Sequence, residues 1–471
     1  MHNDAATMPR TRAAVNTDAP IRGTLNAATE MKPRPQRPPI IWIHGGRVVS
    51  GGNSLRKKSM PIAEPTKTTA PFSAIDRDRS QVRATAAFAG PWSAVPTPAM
   101  TDSATQNQNI MLAAYPKRCD SDAGIDPALA PRVATPHPRA VPLDARPFLA
   151  RTEAILQRHA LGATGAFARW TLDPARDRGP NAYGVSDAAN LLWTLGRFPA
   201  DARDRAAWVD SLQRFQAPAS GLFHEPTHHA IHTTAHCIAA LELFDARPAH
   251  RLAEVAPLRD AAAMERFLDA LDWSGAPWTE SHRGAGLYAA LHLAGESTPE
   301  WEARYFAWLA RECDPATGLW RRGAVPAGAA GLGLLFPHLA GTFHYLFNCE
   351  HAKQSHPHPG ALVDTCLRIR TTRIYPLARF VSFAEMDWVY CLHRAARDCG
   401  RLGEARPALR DFAAEYLAYL DGLDPDTDAG LDDLHALFGA VSALAELQSA
   451  LPGEIASECP LRLVLDRRPF L

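Results

Sequence analysis

The sequence predicts an all-α domain over 146–471, built as an (α/α)6 barrel of six inner and six outer helices. Residues 1–140 form an extension with no fold signal of its own. Three observations lead there. Apolar residues recur at i, i+3, i+4 and i+7, while alternating β-branched runs are nearly absent. A turn closing on Gly and an apolar residue recurs along the chain. Two kinds of helix, one amphipathic and one apolar around its circumference, alternate with a unit of about fifty residues. A helix that is apolar on every side needs cover on every side, which an inner ring inside an outer one supplies.

The extension is rich in Pro, Thr, Ser and Ala, as in "MKPRPQRPP" and "VATPHPRAVP", and reads as mostly disordered. Its "IIWIHGG" at 40–46 looks like the oxyanion loop of lipases and esterases, but no Gly-x-Ser-x-Gly elbow follows; "GVSDA" at Gly184 lacks the closing glycine. Amphipathic helices are expected near 147–159, 203–216, 261–272, 300–313, 359–370 and 406–421. Their stripes include Trp208, Leu212 and Phe215; Met264, Phe267, Leu268 and Leu271; Trp301, Tyr305, Trp308 and Leu309; and Phe412, Tyr416 and Tyr419. The repeated turns are "GATGAF" (162–167), "QAPASGLF" (216–223), "CDPATGLW" (313–320) and "DPDTDAGL" (424–431). Gly supplies the left-handed backbone that stops a helix, and Pro cannot continue one. The inner helices are expected near 186–195, 233–244, 284–294, 342–352, 384–399 and 434–448.

Composition narrows the function. Lys+Arg 50 balances Asp+Glu 50, which disfavours nucleic acid and acidic membrane surfaces as partners. No apolar run is long enough for a membrane span. Eight cysteines without a Cys-x-x-Cys pair read as thiols of a reducing compartment, and the N-terminus lacks a secretory core, so a cytoplasmic location is expected.

In this architecture the loops leading into the inner helices open on one end, where helix N-termini converge. The unusual polar residues collect there. Tyr183 and Asp187 come from one loop, and His228, His232 and His236 from the next. Trp278, Glu280, His282 and Arg283 follow, then His344, Tyr345 and Asn348. Glu385, Asp387 and Trp388, and finally Asp432 and Asp433, complete the rim. Imidazoles, carboxylates and aromatics on one rim suit general acid–base chemistry on a polar small molecule. His232, His236, Glu280, His344, Tyr345, Glu385 and Asp387 are the catalytic candidates, and the others candidate binding residues. The plainer reading is capping: Ser186, Thr233 and Asp432 or Asp433 stand where helix caps are expected.

His228, His232 and His236 step by four and would share a face of a single helix. Pro226 and the Thr233–Thr234 pair place the helix start near 233 instead, which leaves His228 and His232 in the preceding loop. No His-Glu-x-x-His is present, so the spacing specifies no metal, and no cofactor is assigned.

The alternation, the punctuating turns and "HTTAHCIAALELF" resemble two toroid classes. One is the six-hairpin glycosidase and polysaccharide lyase class. The other is the terpenoid cyclase and protein prenyltransferase class. "LVDTC", with Asp364 and Cys366, is similar to the Asp-x-Cys zinc pair of prenyltransferases, but Tyr390 stands where their histidine would, and the cyclase Asp-x-Asp-Asp is absent. The first resemblance implies a carbohydrate-active enzyme, a hydrolase with paired carboxylates or a uronate lyase or epimerase with His and Tyr as proton carriers. The second implies an isoprenoid enzyme. A non-catalytic helical-repeat binding protein is the third reading.

Overall fold

A computed structural model describes residues 142–471. The 1–140 extension and its "IIWIHGG" motif lie outside the described residues. The described chain is all-α, apart from one parallel pairing of Leu143–Asp144 with Ile455–Ala456.

Six helices are buried nearly all round: α2 (Ala182–Thr194), α4 (Ala230–Glu242), α6 (Pro277–Ala294), α8 (Leu335–His351), α10 (Phe383–Asp398) and α13 (Leu434–Ala450). Six others bury one stripe: α1 (Arg146–His159), α3 (Ala202–Gln213), α5 (Ala261–Asp269), α7 (Pro299–Glu312), α9 (Pro359–Thr372) and α11 (Leu402–Asp421). Two single turns, α12 (Ala429–Asp432) and α14 (Val464–Arg467), complete the set. The buried helices pack in cyclic order: α2 on α4, α4 on α6, α6 on α8, α8 on α10, α10 on α13, and α13 back on α2. The striped helices lie against them, α3 on α2 and α4, α9 on α8 and α10, α11 on α10 and α13, and α1 on α11 and α13.

The repeated turns have a common construction. Antiparallel bridges join Ala160 to Phe167, Gln216 to Phe223 and Cys313 to Trp320. Each of these three turns contains a glycine with positive φ. At Gly221 a side chain would strike the Arg251 carbonyl, and at Gly318 the Leu362 backbone, so the left-handed φ and the close pass both require glycine. The turns are tied to the buried helices: the Phe223 amide donates to Thr234 Oγ1 at 2.9 Å and the Trp320 amide to Thr342 Oγ1 at 3.0 Å. The fourth turn differs. It makes no such bridge, and its Gly430 sits inside α12, whose cap is Asp428.

The chain after α13 returns inward. Arg468, fully buried, donates to the Ala239 carbonyl and to Asn190 Oδ1, and Asn348 Nδ2 donates to the Pro469 carbonyl at 2.8 Å. Phe470 packs against Phe347 and His232. The tail thus fills the space between α2, α4 and α8. Among the described residues, no helix is long and apolar enough to cross a membrane. Among the described residues six cysteines, including Cys237, Cys349 and Cys391, are free thiols, whereas Cys459 is disulfide-bonded, so the expectation of thiols throughout fails there.

Candidate functional site

The site begins with how α4 starts. Its cap is His229, whose Nδ1 accepts from the Ile231 amide at 3.1 Å. The helix therefore begins at Ala230, not near Thr233. Thr234 is spent on the turn below, and Thr233 lies within the helix. His232 and His236 both belong to α4, one turn apart and on one face. His228, just upstream, stacks on His232 with ring centroids 4.9 Å apart. The four-residue step is thus kept in space. Likewise α2 is capped by Asn181, not Ser186, which bonds Cys237 Sγ instead. Pro277 starts α6 early, so Trp278, Glu280 and His282 stand in its first turns.

A pocket of about 190 Å³ opens among the buried helices. His228, His232, His282, His344, His435, Trp278 and Asp433 line it, together with Phe343, Phe347, Phe383 and Phe470. One side-chain cluster lines it, and a second reaches it through His435 alone.

The first holds His232 of α4, His282 of α6 and His344 of α8, with one potential ligand atom from each lying within 4.8 Å of the others. Ring centroids are 4.2 Å apart for His232 and His282, and 4.4 Å for His282 and His344. His344 Nδ1 lies 2.8 Å from Ser281 Oγ, which itself donates to the Trp278 carbonyl at 2.6 Å. The hydroxyl has one proton and spends it on that carbonyl, so His344 carries its proton on Nδ1 and keeps a lone pair on Nε2. His232 Nδ1 meets the Tyr183 hydroxyl at 2.6 Å, leaving its Nε2 free in the same way when Tyr183 accepts. Burial first, and neighbouring imidazoles second, push His232 and His282 well below the usual histidine value; burial brings His344 down to about 3. All three are neutral at pH 7.

The second cluster is Asp187 of α2, His236 of α4 and His435 of α13. Asp187 Oδ1 stands 2.9 Å from His236 Nε2 and 3.2 Å from His435 Nδ1. Burial opposes its charge, yet His435 and His236 hold the carboxyl well below the usual range. His435 is pushed down to about 4 by burial, against the pull of Asp187. Tyr183 joins the clusters, stacking at 4.6 Å on both His228 and His236. The Arg169 guanidinium lies 4.9 Å from the Tyr183 ring centre and grips Asp433 with two bonds, at 2.7 and 2.9 Å.

Other rim candidates face elsewhere. Glu280 pairs with Arg283 at 2.9 Å, outside the pocket lining. Tyr345 packs on Trp273, and Asn348 accepts from the Tyr305 hydroxyl. Trp388 donates to the Cys366 carbonyl and packs on Phe412. Asp432 accepts from the Thr171 amide and hydroxyl and from the Leu172 amide, pinning a loop. Glu385 accepts from its cap Ser382 at 2.7 Å and is pushed by burial up to about 7. Neither oxygen of the buried Asp387 has a hydrogen-bond partner, and burial drives its pKa well above the usual range. Asp364 of α9 pairs with Arg401 at the surface, away from Cys366.

Arg169, Phe343, Phe347, Phe383 and Phe470 were not singled out from the sequence. Phe470 carried a faint signal, an isolated aromatic after the "DRRP" that follows the last long helix. No protein family, no curated protein and no solved structure matches this chain.

Proposed function

We propose that this chain is an (α/α)6 toroid enzyme that acts on a saccharide containing a uronate ring, by histidine-mediated proton transfer. The cyclic packing of the six buried helices, with striped helices outside, supports the toroid. The observation that carries the chemistry is the Asp187–His435 pair at the pocket wall, with Asp187 Oδ1 3.2 Å from His435 Nδ1. The carboxylate fixes the imidazole and stabilises the cation formed when Nε2 takes a proton, the logic of an oriented general base. A carbon next to a carboxylate is the proton source that an imidazole base can serve. When it loses its proton, the electron pair either expels the neighbouring glycosidic oxygen, which takes up a proton, or recaptures a proton on the opposite face.

Elimination or epimerisation is favoured over glycoside hydrolysis for a stated reason. A hydrolase needs two carboxyl groups about 5–9.5 Å apart across the bond. The pocket is lined by a single carboxylate, Asp433, and that one is committed to Arg169 and to the cap of α13. The volume suits one sugar ring with its chain outside, being below the ~300–1,000 Å³ of sites that enclose larger ligands. Trp278 and the phenylalanines offer faces for the C–H side of the ring.

The test is a panel of uronate polysaccharides and oligosaccharides, read by the ultraviolet absorbance of unsaturated uronides and by solvent deuterium in the product. The reading predicts a hit that His435→Asn abolishes. A substrate without a uronate, or full activity in His435→Asn, would overturn it.

A further inference from the structure

We propose that Nε2 of His232, His282 and His344 together bind one divalent transition metal ion of the zinc class, with its remaining coordination open to the pocket. Three neighbouring buried helices contribute one imidazole each, so the site is built by the fold rather than by a local loop. Zinc–nitrogen bonds of about 2.0–2.1 Å set tetrahedral ligand atoms about 3.4 Å apart. The present spread, within 4.8 Å, closes to that by small side-chain rotations.

The outer partners argue for the same thing. Metal-bound imidazoles regularly give their other N–H to a hydroxyl, carbonyl or carboxylate that fixes the tautomer. Ser281 does this for His344, and the Trp278 carbonyl fixes Ser281 in turn. Tyr183 stands ready to do it for His232. Packing alone does not account for the arrangement, since phenylalanine would fill the same space without three polar nitrogens converging. Three imidazoles and an open position are the donor set of a catalytic zinc site, and imidazole suits zinc, cobalt and nickel above magnesium or calcium. The open position faces the pocket, where it would hold a carboxylate or a water oxygen.

Binding is measured without substrate, so it stands or falls apart from the proposed activity. The full chain is stripped with a chelator, dialysed and titrated with Co²⁺, with visible d–d absorption as the readout. One Co²⁺ per chain with a tetrahedral spectrum is expected, together with a rise in melting temperature on adding Zn²⁺. His282→Asn should abolish the spectrum, and Ser281→Ala should weaken binding about 10–100-fold. His250→Ala, at an exposed position, should leave it unchanged. X-ray absorption on the Zn²⁺-loaded wild-type chain counts the imidazole ligands directly, so the outcome does not depend on the variants folding. No cobalt uptake by the wild-type chain, fewer than three imidazoles in the shell, or binding that survives His282→Asn but is lost in His435→Asn would overturn the proposal.

Discussion

Asp187 and Asp387 are both fully buried, both on helices of the inner set, and behave in opposite ways. Asp187 faces two imidazoles and keeps its charge. Neither oxygen of Asp387 has a hydrogen-bond partner, and burial raises its pKa well above the usual range. Burial is the same in both, so the difference lies in which atoms share the cavity. A buried carboxylate next to a nitrogen it can orient is set up for chemistry. One that is buried alone lowers stability, because the fold must hold it neutral.

The largest expected effect breaks the first half of that contrast. Asp187→Asn should lower the rate on a substrate found by the uronate panel by about 10²–10⁴-fold, the range lost when an oriented base loses its carboxylate. Circular dichroism should show the fold intact. Asp387→Leu should leave that rate within a factor of two or so and raise stability at pH 7–8 by about 1–3 kcal/mol in urea denaturation, the size of a relieved buried polar group. If the two substitutions behave alike, the distinction is wrong.

The pH dependence separates them further. Glu385, beside Asp387, has its folded pKa raised from 4.5 to about 7. A raised carboxyl contributes stability that is fully present below the unfolded pKa and lost as pH rises through the folded one. Stability should therefore fall by about 3 kcal/mol between pH 4.5 and pH 7 from this group, a slope that Glu385→Gln removes. Asp187 has the opposite sign: its contribution is present above the ordinary carboxylate range and is lost only as pH falls well below it. Urea melts between about pH 2 and about pH 8 in wild type, Glu385→Gln and Asp187→Asn check both slopes. The smallest effect concerns the scaffold. Thr342→Val removes the acceptor for the Trp320 amide and should cost about 1 kcal/mol without touching activity.

Much of the helix layout was legible in the sequence, because periodicity reports burial. Trp301, Tyr305, Trp308 and Leu309 form the predicted stripe and are all buried on α7. Helix starts were less legible. His229 caps α4 through a ring nitrogen, outside the usual set of Ser, Thr, Asp and Asn, and α8 follows a 3-10 turn at Gly328–Leu334 with no side-chain cap. The site was legible in part for a related reason. Successive helical residues point about 100° apart. In a helix apolar on every side, nothing in the pattern says which direction is inward. His344 reaches the pocket while Tyr345, its neighbour, packs outward on Trp273. The imidazoles at 228, 232, 282 and 344 were among the predicted residues and share a pocket, whereas Glu280, Glu385 and Asp387 do not line it.

The returning tail has a consequence for how the molecule is made. Arg468 bonds Asn190 across 278 residues of sequence, and the Pro469 carbonyl bonds Asn348 across 121. Contacts this distant close slowly, since the loop entropy is spent before they form. During synthesis, α2 and α4 emerge long before the residues that fill the space between them. Until those arrive, the wall of the pocket that Phe470 forms does not exist. The pocket wall is therefore complete only once Phe470 is in place.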